Sequence, residues 1–251
     1  MPKLSVVIIT LNEEKNLDRC LNSVKTIADE MVVVDSFSTD KTKEIALRHK
    51  VVFIEHPFED YVTQHQFADE QAQHDLIFSI DADEVVSPKL EKSILKAKKN
   101  PEYDGYWVSR LTNYCGNWIH HSGWYPDRKL RLYNRTKGSW QGVIVHESFQ
   151  LDPGSTEGRL KGDLWHYSYY TVEQHRQRLE KYSTMSAKAY FAQGKKAPVL
   201  KIWLSPVVKF IRDYFINLGF LDGKAGFTVC WISASGTKKK YQKLRELYKT
   251  K

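Results

Sequence analysis

Cysteine is scarce: the 251 residues hold three, Cys20, Cys115 and Cys230. They are far apart, odd in number and form no CxxC pair. A disulfide framework and a zinc knuckle are therefore poor readings, and a reducing compartment fits best. No internal repeat or low-complexity segment breaks the chain. The opening MPKLSVVIITLNEEKNL has a short apolar run interrupted by Asn12, Glu13 and Glu14, without the length or cleavage pattern of a secretory signal. No recognised nucleic-acid motif is present. What remains is an ordinary globular composition, 41% hydrophobic and 27% charged, with enough chain for one large domain or one and a half.

The net charge of +8 is unevenly placed. From residue 195 to 251 there are 13 Lys and Arg against 3 Asp and Glu, +10, which leaves residues 1–194 at −2. A basic tail on a near-neutral body predicts an anionic surface as partner, lipid or nucleic acid.

The first half alternates strand and helix. LSVVIIT (4–10) is a β-branched run with no helical gap, hence a buried strand. Asn12 is placed to cap a helix with Glu13 and Glu14 in its first turn and an apolar stripe of Leu17, Leu21 and Val24. MVVVD (31–35), VVFI (51–54) and LIFSI (76–80) read as further strands, with helical stretches between, the last polar and covering about 60–73. That rhythm predicts an α/β fold on a parallel sheet with right-handed crossovers. Ligands in such sheets bind outside the carboxyl ends of the strands. Here those ends are Thr10–Glu13, Asp35–Ser38 and Asp81–Glu84, all polar or acidic.

Further on, a helix is expected over 89–99, strands at GYWVSRLTNY (105–114) and GVIVHESFQL (142–151), and a polar helix over 171–192. From Val199 to Phe220, Lys201, Ser205, Lys209, Arg212 and Asp213 share a face opposite Trp203, Val207, Phe210, Ile211 and Tyr214. This is an amphipathic helix too interrupted by charge to span a bilayer. It can lie on an anionic leaflet or pack on the domain with its charges in water.

LIFSIDADEVV (76–86) poses the chemical question, because Asp81, Asp83 and Glu84 repel one another unless something positive joins them or water screens them. A strand ending in Asp-x-Asp suits Mg²⁺ or Mn²⁺ held together with substrate phosphates. The bland alternative is a solvated turn. The same stretch also resembles the nucleophile loop of haloacid-dehalogenase-type phosphatases, but it follows the fourth strand here and no later acidic pair supports it.

VVIITLNEEKNLDRCL, VVVDSFSTDKT and IFSIDADEVV together resemble the nucleotide-sugar signatures of family 2 glycosyltransferases. HHSGWYPDRKLRLYNR followed by VHES resembles a narrower group, the lipopolysaccharide core transferases that pass glucose from UDP-glucose to a heptose. The resemblance covers residues 1–185, with a looser extension at FLDGKAGF. It implies a GT-A fold: a Rossmann-like, mostly parallel sheet flanked by helices. It divides the chain into a nucleotide-sugar half at about 1–100, an acceptor half at about 101–185, and a basic amphipathic helical region over 186–251. Two departures stand out. His65 replaces a more usual Lys or Arg, and Arg128-Lys129 replaces an often uncharged pair.

By that resemblance Thr10, Leu11, Asn12, Glu13 and Asp35 hold the uridine, and Asp81 faces the ribose. Asp83 ligates the metal, with Mg²⁺ or Mn²⁺ as cofactor, and Glu147 takes the place of the acceptor-side acid, oriented by His146. The case for Glu147 also stands on chemistry, since a sugar hydroxyl needs a carboxylate within reach to take its proton. A salt-bridged strand end is the plainer reading of it. His166 is either a third metal ligand or a hydrogen-bonded histidine among aromatics. Trp118, Trp124 and Tyr125 beside Asp127 form a sugar platform or an ordinary aromatic core. Arg128 and Arg131 bind phosphate through forked donors or form a solvated strand face.

The expectation is an inverting UDP-sugar-dependent hexosyltransferase, cytoplasmic and peripheral to the inner membrane face. Its acceptor would be a lipid-linked oligosaccharide core. The competing classes are a phosphatase, a non-catalytic relative, and a nucleic-acid binder using the C-terminal lysines, the last opposed by segregation of those lysines from the acidic rim.

Overall fold

Strands form where β-branched runs are wrapped on both sides, and helices where the apolar period changes to three and four. The computed structural model describes residues 2–142 and 147–249. The elements run β1 (Leu4–Thr10), α1 (Leu17–Val24), β2 (Glu30–Asp35), α2 (Thr42–Arg48), β3 (Val52–Glu55), α3 (Tyr61–Gln71), β4 (Leu76–Ser79), β5 (Glu84–Val86) and α4 (Pro88–Lys99). Then come β6 (Gly105–Tyr114), β7 (Asn117–Ile119), β8 (Asp127–Asn134), β9 (Gly138–Gln141), β10 (Ser148–Leu151) and β11 (Glu157–Tyr169). Three helices finish the chain: α5 (Val172–Ala192), α6 (Val199–Ile211) and α7 (Gly223–Lys249). A π turn (Arg212–Ile216) and a 3-10 turn (Gly219–Asp222) join the last two.

The chain divides into two units: Met1–Arg110 with Asp127–His166, and Leu111–Pro126 with Tyr167–Lys251. In the first unit β3, β2, β1 and β4 lie side by side and parallel. β1 leads to β2 through α1, β2 to β3 through α2 and β3 to β4 through α3, the crossover helices that parallel strands need. β8 then pairs antiparallel with β4, β6 with β8, and β11 with β5, so the sheet is parallel through its first four strands and antiparallel beyond. β9 and β10 form a separate antiparallel pair.

β1 is buried on both faces. Leu4, Val6 and Ile8 pack on one side with Leu17, Leu21 and Val24 of α1. Val7 packs on the other with Val32 and Val34. The expected α1 stripe is thus the buried one. Asn12 does not cap α1, which opens after Asn16. Asn12 has a left-handed φ of 56°, a conformation Asn tolerates, and its side chain reaches the neighbouring loop instead. Of the strand expected over 142–151, Ser148–Leu151 is present and 143–146 lie outside the described residues.

α3 is fixed to the β8–β9 region by polar contacts rather than by an apolar stripe. Buried Asp69 accepts from Tyr133 Oη at 2.8 Å and from Trp140 Nε1 at 2.9 Å. His65 stacks on Trp140 with ring centroids 4.0 Å apart.

In the second unit α5 and α6 both pack on α7. Asp222 ties down the HHSG loop: it accepts from the backbone N–H groups of His120 and His121 and pairs with His121 Nδ1 at 2.8 Å. Among the described residues no helix is long and apolar enough to cross a membrane.

Candidate active site

The carboxyl ends of β1 and β2 are laced into one rim. Thr10 Oγ1 donates to Asp35 at 2.8 Å, and Ser38 donates to the same carboxylate through its N–H at 2.7 Å and its hydroxyl at 2.5 Å. Asp35 is buried and uses about three of the four acceptor positions a carboxylate offers. The β1 loop is held from the β2 loop. Asn12 N–H donates to Ser38 Oγ at 2.7 Å, Glu13 N–H to Thr42 Oγ1 at 2.8 Å, and Asn12 Oδ1 accepts from Thr39 N–H at 2.9 Å. Leu11 and Phe37 project from this rim, each more than half exposed, and Phe37 adopts φ 59°. A bulky residue at positive φ is uncommon, and the Asp35–Ser38 turn enforces it. Nothing in the sequence period marks Phe37.

After β4 the three acidic residues part company. Glu84 is fully buried on β5, where Oε2 accepts the Asp81 N–H at 3.1 Å. Its Oε1 lies 3.2 Å from Arg110 Nη1 and 3.3 Å from Arg131 Nη2. The same Arg131 nitrogen donates to Asp81 Oδ2 at 2.6 Å. Arg110 also grips Asp127 Oδ2 through Nε at 2.8 Å and Nη2 at 2.6 Å. Burial pushes the Asp81 pKa up, but Arg131, His65 and Arg110 together outweigh it and hold the carboxyl well below the usual range. Desolvation opposes charge on Arg110 and Arg131, yet the carboxylates around them raise both pKa values. Two arginines thus supply the positive charge that the acidic run requires. Arg131 is a buried member of that cluster, neither a solvated strand residue nor an exposed phosphate fork; Arg128 is the exposed one.

Asp83 stands outside the arginine cluster. Its Oδ2 lies 3.2 Å from His166 Nε2, brought there because β11 pairs with β5 and sets His166 opposite Glu84. His166 Nδ1 is buried without a hydrogen-bond partner. One carboxylate oxygen and one imidazole nitrogen suit a divalent cation whose other positions are filled by phosphate and water, and nitrogen in the set favours Mn²⁺ over Mg²⁺. Among the described residues no group of three or more His, Cys, Asp or Glu is arranged to hold a metal by itself.

Glu147, immediately before β10, keeps Oε2 buried and without a hydrogen-bond partner. His146 lies outside the described residues. His65, the departure at QHQ, is buried, and desolvation brings its pKa down to about 4, so it is neutral at pH 7 and cannot replace a cationic Lys or Arg.

In the second unit Trp124 packs among Tyr114, Tyr169 and His175 with centroids 5.6–6.0 Å apart. Tyr125 lies 5.8 Å from His120, and Trp118 lies 5.5 Å from Tyr167.

Residues 5–151 match the family model described as glycosyl transferase family 2. Along nearly its whole length the chain is similar to an uncharacterized glycosyltransferase of Rickettsia typhi, 34% identical, covering 98% of this chain and 88% of that protein. It is also 30% identical to the lipopolysaccharide core biosynthesis glycosyltransferase LpsC of Rhizobium meliloti, over 94% of this chain and 92% of the other. A distant structural match covers 45% of the chain, at TM-score 0.38 and 21% identity. It is to glucosyl-3-phosphoglycerate synthase of Mycobacterium tuberculosis in complex with Mn²⁺, UDP and glucosyl-3-phosphoglycerate. The chain belongs to glycosyl transferase family 2. It is a glycosyltransferase with the α/β architecture its motifs lead one to expect, and the phosphatase and nucleic-acid readings fall away.

Proposed function

We propose that the chain transfers a hexose, glucose by the resemblance of its motifs, from a UDP-sugar to a lipid-linked lipopolysaccharide core acceptor with inversion at the anomeric carbon. The likeness to LpsC supports the acceptor class. The observation that carries the reading is the division among the acids: Asp81 and Glu84 are held by arginines, while Asp83 beside His166 is left to meet a ligand.

The Thr10–Glu13 loop and Asp35 hold the uridine, with Phe37 offering an exposed ring to the base. Asp81, fixed by Arg131, presents its carboxylate edge to the ribose. Asp83 and His166 would hold the Mg²⁺ or Mn²⁺, which when bound neutralises charge on the diphosphate. Glu147 takes the proton of the acceptor hydroxyl as its oxygen bonds to the anomeric carbon. The bond from that carbon to the diphosphate oxygen breaks, and UDP leaves from the opposite face. A positioned base of this kind contributes roughly 10²–10⁴-fold. Asp127, Trp124 and Tyr125 are assigned to the acceptor as a sugar platform of aromatic faces beside a carboxylate, and His146 as the residue that orients Glu147. The work is placed at the anionic inner face of the cytoplasmic membrane, as the basic C-terminal region favours.

The test is UDP release from UDP-glucose, with and without Mn²⁺, in the parent and in Asp83→Ala. Metal-stimulated release lost in the variant is the expected result. Metal-dependent turnover of the same rate in Asp83→Ala would overturn the assignment.

A further inference from the structure

α6 is built inside out. Ser205 and Lys209 are half-buried, and Ile202 and Asp213 are buried. These positions, three and four apart, form the side that packs along α7. The opposite stripe is Leu200, Trp203, Leu204, Val207, Val208 and Ile211, each 47–72% exposed. A helix of a water-soluble domain turns its apolar stripe inward. Each such side chain left in water forgoes the favourable free energy of leaving it. The apolar strip continues at Phe215 and Ile216, and Trp231 of α7, also exposed, lies 6.1 Å from Phe210.

Cations frame this stripe. A cavity of about 670 Å³ between α6 and α7 has Leu200, Leu204 and Val208 on its wall together with Lys201, Arg212 and Lys240. Lys209 lines it too. Asp213 neutralises part of that charge, pairing with Lys209 at 2.6 Å and with Arg212 Nε at 3.0 Å. Lys238 Nζ sits 4.0 Å over the Trp203 ring. From residue 199 to 249 there are ten Lys and Arg against three Asp and Glu. A second copy of this chain would bring the same positive charge and be repelled, and a polyanion without acyl chains would leave the stripe in water. An anionic bilayer satisfies both.

We propose that α6, the turns after it and the adjoining part of α7 dock on an anionic phospholipid bilayer. The Leu200–Ile211 stripe enters the acyl boundary, Trp203 and Trp231 sit at headgroup level, and the cationic cavity takes a lipid phosphate. This rests on the membrane-surface element of the function proposed above, and adds to it the face and the headgroup site.

The experiment is co-sedimentation of the full chain with phosphatidylcholine vesicles containing or lacking phosphatidylglycerol, together with tryptophan emission. Expected are retention and a blue shift with phosphatidylglycerol only, weakened by salt. Leu204→Asp with Val208→Asp should lower partitioning about tenfold or more. Both positions are exposed, and an unchanged circular-dichroism melt checks the fold. Lys201→Gln with Lys240→Gln should weaken binding and flatten its salt dependence. Equal binding to neutral vesicles, or undiminished binding of the double Asp variant, overturns the proposal. So does a concentration-dependent dimer that ignores vesicles. Vesicle binding needs no nucleotide sugar, so loss of sugar transfer with binding intact would count against the transferase assignments alone.

Discussion

Arg131 is the residue on which the geometry of the acidic rim depends. It lies buried between Asp81 and Glu84, and Glu84 has no exposure to water. Arg131→Met removes the charge that Glu84 needs in its buried position, and breaking a buried pair this way costs about 3–5 kcal/mol. Urea denaturation should show that loss, whereas Arg128→Met, on the exposed side of β8, should leave the midpoint nearly unchanged. Phe37→Ala should raise KM for the UDP-sugar with little change in kcat, since an exposed ring at the rim acts on binding. Much at this scale was legible: the Asp-x-Asp strand end and the three polar rims stand out in one reading of the chain. The arginines were not, because Arg110 reaches Glu84 across 26 residues and Arg131 reaches Asp81 across 50. Alternation on β8 says that Arg128 and Arg131 point to opposite faces, but not which face is buried.

Among the elements, α3 and α5 show how burial of titratable groups shapes the response to pH. Desolvation raises the Asp69 carboxyl to about 7 and lowers His65 and His175 to about 4. The folded chain binds the Asp69 proton more tightly than the unfolded chain does. That contribution is complete below about pH 4 and is lost as pH rises through 7. The histidines act in the other direction: their contribution is complete above pH 6.5 and is lost as pH falls towards 4. Thermal melts from pH 4 to 8 should therefore show Asp69→Asn losing less stability than the parent on the alkaline side of this window. α7 depends on close approach. A Cβ on Gly226 would lie 2.0 Å from the Gly219 carbonyl oxygen, so Gly226→Ala should cost about 1–3 kcal/mol as an overpacked contact, read from the melt. The 3.6-residue period found the start of α6 but ran it to Phe220, whereas the α-helix ends at Ile211 and turns follow. It could not tell which side meets α7, because an amphipathic pattern is equally regular when the polar side packs inward.

For the whole molecule, the strand–helix rhythm of the first hundred residues was enough to give the parallel strands and their order of appearance. The antiparallel strands that complete the sheet depend on pairings such as β5 with β11, separated by about eighty residues, and no local pattern announces them. The charge split between body and tail was visible in composition alone. Addition of UDP-glucose with Mn²⁺ should raise the melting temperature of the intact chain. Saturation to a hundred times Kd corresponds to about 2.7 kcal/mol of added stability. The same additions to Asp83→Ala should give a smaller rise.

The guanidinium groups of Arg110 and Arg131 carry one last implication. Because the rim's counter-charge is built from the chain itself, its architecture does not wait for an ion to assemble. Exposure to EDTA should silence turnover reversibly and leave the unfolding curve where it was.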